Sequence, residues 1–427
     1  MTAIYSGCHF FDKERKRMRK KYLKLSGIIL ILISIAFVLP EKSVTYANTS
    51  VISPIEEGII ADSSVITTKK QLIKVLIGHI TNLNKNFSIK ISYKVLKGNN
   101  KSFARLWTEL TRYPEYNEIM EHTTITGSES YSYRSYFVWQ IKASYSISKA
   151  KAEKLLKNVT PIVKTKKGLI NALRKHIENL DKSFYINVNK KVLNINNKKA
   201  FDAFWNELYE IPEFNDISRY FKNFQSNQHS YNGYYKWIIK TRYKISKQEL
   251  NYINTFVKNW VEENINDEMS DEEKVRAIND FMVTRYRYTF GDKGQCPKGS
   301  KNCPEEKLGK YSVYSTFSLL YGGGGVCDAK AKLFYRLAKE AGLKVLYITG
   351  YVNGDTLHAW NMVKVDGKWY HIDNTWNRAT EPGMTEYEYF NTRDYYLKSD
   401  ASMIKGHHTW KAGKYPRAYS DYPLTEG

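Results

Sequence analysis

Cys327 follows four glycines, Gly322 to Gly325, and a single valine, Val326. It is followed by Asp328-Ala329-Lys330-Ala331-Lys332-Leu333-Phe334, a helix-forming run. A glycine-rich turn that opens directly into a helix puts the thiol at the helix N-terminus. Free amides and partial positive charge there favour a thiolate, which is the nucleophilic form of cysteine. The same amides can receive a developing oxyanion. The bland alternative is a buried structural cysteine behind a phosphate-type glycine loop. No Gly-Lys-Ser/Thr follows, which argues against a phosphate loop.

A nucleophilic thiol needs a base, and the base needs an orienting group. Val363-Lys364-Val365 and Lys368-Trp369-Tyr370 flank Asp366-Gly367, a two-residue hairpin signal. Such a turn sets Val365 opposite Lys368, and the register follows outward from there. It places His358 opposite Thr375 and Asp373 opposite Trp360, on one face as diagonal neighbours. An imidazole–carboxylate hydrogen bond is within reach at that spacing. His371 shares the face as a rival base, opposite Met362 and further from the strand end; His358 is preferred.

Four cysteines are present. Cys8 lies in the N-terminal export segment. Cys296 and Cys303 flank a short loop where an oxidising exterior permits a disulfide, leaving Cys327 as the odd thiol. No second pair of ligands has the spacing of a zinc site, so neither a metal nor a cofactor is expected.

The elements that must carry this chemistry begin near Asn251. Ser270-Asp271-Glu272-Glu273 reads as a capping box, and Val275, Ile278, Met282 and Tyr286 continue its helix. Upstream, residues 68–150 and 165–248 repeat each other at an offset of about 97. Trp107, Pro114, Asn117 and Ile119 match Trp205, Pro212, Asn215 and Ile217; Tyr133, Trp139 and Tyr145 match Tyr231, Trp237 and Tyr243. Each copy reads as a small α+β domain. Leu72, Ile73, Leu76, Ile80 and Leu83 form a helical stripe, and Phe87, Ile89, Ile91, Tyr93 and Val95 alternate as a strand. Tyr131 to Ile147 reads as a second strand, with Tyr133, Phe137, Trp139, Ile141 and Tyr145 inward and Arg134, Gln140 and Lys142 outward. The second copy presents Lys236, Lys240, Arg242 and Lys244 on that outer face, which predicts a helix-covered sheet with a basic open side. The aromatics fall inward, so a stacking platform for nucleic acid is not expected. His79 and His176 recur at equivalent helix positions with no ligand-spaced partners and read as structural.

Gly-Val-Cys327 at a helix start, then His358-Ala359-Trp360-Asn361, then Asp373-Asn374-Thr375-Trp376, resembles the bacterial transglutaminase-like superfamily. The chain order Cys, His, Asp agrees. The resemblance covers roughly residues 265–420, including Tyr415-Pro416-Arg417-Ala418, and departs from the family pattern at Ala329 and Phe317. It implies a papain-like α+β catalytic domain in which a Cys-bearing helix packs on an antiparallel sheet supplying His and Asp. Cys327, His358 and Asp373 would form the catalytic triad, with Trp360 and Trp376 supporting the site. The acyl-enzyme would pass to a lysine amine or to water. Transglutaminase, cysteine peptidase or amidase, and a surface-binding protein with a relic site all remain open.

The resulting expectation is an α+β chain with two duplicated small domains, 68–164 and 165–250, before a catalytic domain at 251–427. Residues 1–47 read as an export signal and 48–67 as a linker. Basic residues Lys13 to Lys24 precede an apolar run, Leu25 to Leu39, closed by Pro40. Thr45-Tyr46-Ala47 offers a signal-peptidase site after Ala47. The alternative is a retained anchor at Leu25–Leu39, although a span usually needs about 20 residues. Either places the rest of the chain outside the membrane, at the cell surface or wall. The net charge is +23, and it is concentrated in the repeats, where 33 Lys/Arg face 14 Asp/Glu across residues 68–250. Localised positive charge suits an anionic wall polymer or lipid; a merely solvated Lys-rich surface fits as well. The expected substrate is a protein or peptidoglycan peptide.

Overall fold

The computed structural model describes residues 60–97, 99–291, 307–379 and 390–423. Residues 1–47, read from sequence as an export signal, and Cys8, Cys296 and Cys303 lie outside these residues. Among the described residues, no helix is long and apolar enough to cross a membrane.

The first unit runs β1 (Ile60–Ile66), α1 (Lys69–Thr81), β2 (Asn86–Ser92), α2 (Asn100–Leu110), α3 (Pro114–Met120), β3 (Thr123–Ser132), β4 (Tyr136–Tyr145) and α4 (Lys149–Lys157). Its sheet order is β1-β2-β4-β3, with β1 parallel to β2 and the other pairs antiparallel. Ile60–Ile66, read from sequence as linker, is therefore a strand of this sheet. The run Tyr131–Ile147 is not one strand. The chain turns after Ser132, with Tyr133 N–H bonded to Tyr136 C=O, so Tyr133 sits in the hairpin turn. The helical stripe holds through Ile80; Leu83 lies past the helix end at positive φ and is only partly buried.

The second unit runs α5 (Lys166–Glu178), β5 (Ser183–Asn189), α6 (Lys198–Tyr209), α7 (Pro212–Ser218), β6 (Phe221–Ser230), β7 (Tyr234–Tyr243) and α8 (Lys247–Asn264). Its sheet order is β5-β7-β6. In both units the two short helices α3 and α7 begin with proline at the first turn, where no N–H is needed. His79 and His176 each stack on a phenylalanine, Phe87 and Phe184 respectively, at 4.2 Å. Helix α8 crosses the expected boundary at residue 250. Leu250 and Ile253 belong to the core of the second unit, while Val257 and Val261 belong to the next one.

The third unit runs α9 (Asp271–Arg285), β8 (Arg287–Tyr288), β9 (Lys307–Leu308), β10 (Tyr311–Ser312), α10 (Thr316–Gly322), β11 (Gly324–Gly325), α11 (Cys327–Glu340), β12 (Val345–Val352), β13 (Thr356–Val365), β14 (Lys368–Ile372), β15 (Arg378–Ala379), β16 (Phe390–Asn391), α12 (Asp400–Lys405) and β17 (His408–Trp410). The Ser270–Glu273 capping box opens α9, with both reciprocal bonds formed. The main sheet is antiparallel in the order β14-β13-β12-β17. Helix α11 packs on it through Leu333, Phe334 and Leu337, in one core with Val363, Val365 and Tyr370.

Contacts between units use charge as well as apolar area. Lys236 of β7, expected on an open basic face, is buried and paired with Glu118 at 2.9 Å and Glu121 at 3.1 Å from the first unit. Covering by a neighbouring unit overrides strand parity at that position. Lys142, Lys240, Arg242 and Lys244 are exposed.

Candidate active site

Two features of the chain bring Cys327 to the sheet. Gly323 caps α10 at φ 71°, a left-handed conformation that suits glycine, and turns the chain back. Gly325 lies so close to Ala329 and Val313 that a Cβ there would come within 2.9 Å of each. Cys327 is thus the first residue of α11, is wholly buried and is in no disulfide. The Asn361 side chain donates to Ala331 C=O at 3.1 Å, tying strand β13 to the cysteine helix.

The hairpin register is the one the Asp366-Gly367 turn dictates. Both turn residues have positive φ, and the ladder runs from Val365↔Lys368 to Asn361↔Ile372. It then stops, and His358 pairs instead with Gly350 of β12. Asp373 sits one residue past β14, in a turn whose Asn374 and Asn377 side chains both donate to Asn279 of α9. Even so, His358 Nε2 lies 2.6 Å from Asp373 Oδ2.

Burial opposes the His358 imidazolium. The charges of Asp373 and Cys327 and a hydrogen bond from the ring to each outweigh it, and the pKa is pushed up to about 10. His358 therefore lies between the thiol and the carboxylate and contacts both. Burial alone would raise the Asp373 pKa, but His358 and then His408 hold it well below the usual carboxylate range. Its Oδ1 accepts from the backbone N–H of Thr375 at 2.8 Å and of Trp376 at 3.2 Å.

His408 was not singled out from sequence. It enters on β17, which pairs with β12, and is fully buried. Its Nε2 lies 3.1 Å from Asp373 Oδ2 and its Nδ1 lies 3.0 Å from Gly406 C=O. It stands 35 residues from Asp373, and no local spacing links the two. A ring nitrogen of His358, a carboxylate oxygen of Asp373 and a ring nitrogen of His408 all lie within 4.8 Å of one another. The 2.6 and 3.1 Å separations are those of direct hydrogen bonds.

His371, the rival base, belongs to a different pair. The Trp360 indole N–H donates to its Nδ1 at 3.0 Å, and its Nε2 lies 2.9 Å from Asp400 Oδ1. An indole nitrogen can only donate, so His371 carries its hydrogen on Nε2. Burial pushes its pKa down, against the pull of Asp400. Trp360 also lies against His358, with ring centroids 5.8 Å apart, and Trp376 contacts both His358 and His408. Of the two departures from the family pattern, Phe317 is buried against Tyr220 of the second unit and Ala329 against Gly325.

A cysteine helix on an antiparallel sheet that carries a histidine–carboxylate pair is the transglutaminase-like arrangement. Residues 258–374 match the model of the Transglutaminase-like superfamily, so the C-terminal part of the chain is a transglutaminase-like domain. Members of this fold family are transglutaminases and cysteine peptidases. The chain is similar to Kyphoscoliosis peptidase of Homo sapiens, 27% identical over 112 residues, and to that of Mus musculus, 26% identical over 112 residues. Each match takes in 22% of this chain and 17% of the relative, so the chain spans only a small part of those proteins. Among solved structures, one described as a TGase aligns over 52% of this chain and 61% of its own, at 15% identity and a TM-score of 0.27.

Proposed function

We propose that the third unit is a thiol acyl-transfer enzyme with Cys327 as nucleophile, His358 as base and acid, and Asp373 as the group that orients the imidazole. The observation that carries this reading is the position of His358, buried between the Cys327 thiol and the Asp373 carboxylate. The Cys327 sulfur attacks the carbonyl carbon of a carboxamide or peptide bond, and its proton resides on His358. As the tetrahedral intermediate collapses, the C–N bond breaks and His358 gives the proton to the departing amine or ammonia. A lysine amine or a water then attacks the thioester, losing its proton to His358 as the C–S bond breaks. Asp373 keeps one ring nitrogen facing the carboxylate and stabilises the imidazolium. Trp360 and Trp376 wall the imidazole.

A cysteine peptidase is the second reading, favoured by the name of the curated relatives. The test is incubation with a glutamine peptide and a biotinylated amine, with mass spectrometry of Cys327. Amine incorporation through an acyl group trapped on Cys327 supports transfer. Ammonia release or peptide cleavage without incorporation supports hydrolysis. Absence of any acyl group on Cys327 rejects both.

The proposed setting is the outer face of the cell, on protein or wall-peptide substrates. In this reading residues 68–164 and 165–250 are duplicated basic modules that hold the enzyme to an anionic wall polymer or lipid. Lys142, Lys240, Arg242 and Lys244 remain exposed for that role, whereas Lys236 is engaged by Glu118 and Glu121. Retention of the chain on anionic vesicles or wall fragments should fall as salt rises through physiological strength. Salt-independent retention would reject the electrostatic version.

A further inference from the structure

Asp328, the residue after the proposed nucleophile, is completely buried in the first turn of α11. A carboxylate there suits the helix dipole but sits beside the thiol, where its charge opposes a thiolate. The protein answers it from two sides. Lys332, one helical turn on, bonds Asp328 Oδ2 at 2.8 Å. Arg219, which caps the C-terminus of α7 in the second unit, bonds the same oxygen at 2.8 Å. The Tyr347 hydroxyl of β12 takes the other oxygen.

The joint around this pair is built, not incidental. Lys332 also reaches Asn215 of α7 at 2.7 Å and Tyr314 C=O at 2.8 Å. Asp216 of α7 accepts from Thr316 N–H at 3.1 Å and from Arg336 of α11 at 3.3 Å. Lys339 meets Glu213 at 2.7 Å, and the Tyr220 hydroxyl meets Ser315. Tyr311 and Phe317 of the third unit are part of the second unit's own core. Arg219 lies outside the segment 258–374 that matches the family model.

We infer that Arg219 is a positioning residue of the active site, supplied by the second unit. By neutralising Asp328 it keeps the thiol at the start of α11 in its reactive, ionised form. The second unit is then part of the catalytic body as well as a neighbour on the chain. This inference rests on the proposed role of Cys327. The charged and titratable groups around the thiol and Asp328 are His358 on β13, Asp373 after β14, His408 on β17, Tyr347 on β12, Lys330 and Lys332 on the same helix, Asp216 on α7, and Arg219 just past the end of α7.

The test is the pH dependence of iodoacetamide alkylation at Cys327, followed by peptide mass spectrometry on the full chain. Loss of one neighbouring buried charge in a partly screened interior moves a thiolate midpoint by about one pH unit. Arg219→Gln should raise the midpoint by about that much and slow alkylation by up to about tenfold at pH values below the parental midpoint. Arg219→Lys should recover most of it, and Lys240→Gln, on the exposed face, should leave it in place. A folded Arg219→Gln protein with the parental midpoint would overturn the inference.

Removal of one partner from a buried ion network can unfold a protein, so a second comparison keeps the question answerable. Asp328→Asn should lower the midpoint, and Asp328→Asn/Arg219→Gln should return it near the parental value, because the two charges offset one another. A double variant with a midpoint raised as far above the parent's as that of Arg219→Gln would show that the two charges do not offset one another at the thiol. The parent's own midpoint bears separately on the proposed chemistry. An ordinary thiol midpoint in the parent would sink the nucleophile assignment, whatever Arg219 does to it.

Discussion

His358 and His371 sit on adjacent strands, each buried and each within hydrogen-bond distance of a carboxylate. Their chemistry diverges because of what meets the other side of the ring. His358 faces the Cys327 thiol, and its pKa rises to about 10. His371 receives the Trp360 indole N–H, which requires a bare nitrogen, and its pKa falls. A carboxylate partner is common to both, so it does not by itself make a base. The second nitrogen decides whether the ring can accept and hold a proton.

The largest expected effect is at the first pair. Cys327→Ala or His358→Ala should cut acyl transfer by about ten-thousandfold or more, while His371→Gln changes the rate less than about tenfold in protein that remains folded. Comparable losses at both histidines, in steady-state assays of folded protein, would erase the distinction. Next comes the pair of carboxylates. Asp373→Asn should cost about a thousandfold or more, through loss of the oriented ring, and Asp400→Asn only a few-fold. His408→Gln removes one charge-assisted bond to Asp373 and should cost roughly ten- to a hundredfold in kcat.

The smallest effects are on stability, and they have opposite signs. The folded pKa of His358 lies above its unfolded value of about 6.5. Its contribution is therefore full below about 6.5 and is lost as pH rises toward about 10. His371 has a lowered folded pKa, so its neutral form stabilises above about 6.5 and that contribution fades as pH falls. Melting temperature against pH should flatten on the alkaline side in His358→Gln and on the acid side in His371→Gln. Trp360→Phe keeps the ring packing and removes the donor to His371. It should cost about 1–3 kcal/mol of stability with most of the activity retained.

Much of the proposed site is legible in the chain because it is local. An Asp-Gly turn has few ways to close a hairpin, and the register from Val365 to Asn361 follows from it. The glycine run ahead of Cys327 likewise announces a turn into a helix. The extrapolated register fails beyond Ile372, where the strand ends and Asn279 holds the turn that carries Asp373. The His358–Asp373 contact survives because the turn keeps Asp373 beside the strand end. Strands β1 and β3 were not read as such. Ile60–Ile66 precedes the first helix without its pairing partner in view, and Thr123–Ser132 is too rich in Thr, Ser and Gly to alternate clearly.

From the sequence alone come the thiol at a helix start, the histidine on a hairpin strand and the acid beyond the turn. All three depend on interactions among residues close in the chain, which local backbone preferences specify. Tertiary structure gave His371 its own partners in Trp360 and Asp400, brought His408 onto Asp373, buried Lys236 and set Arg219 against Asp328. Those choices join residues up to 118 positions apart. Only the packing of whole units against one another determines which charges are left in water and which must find a partner inside.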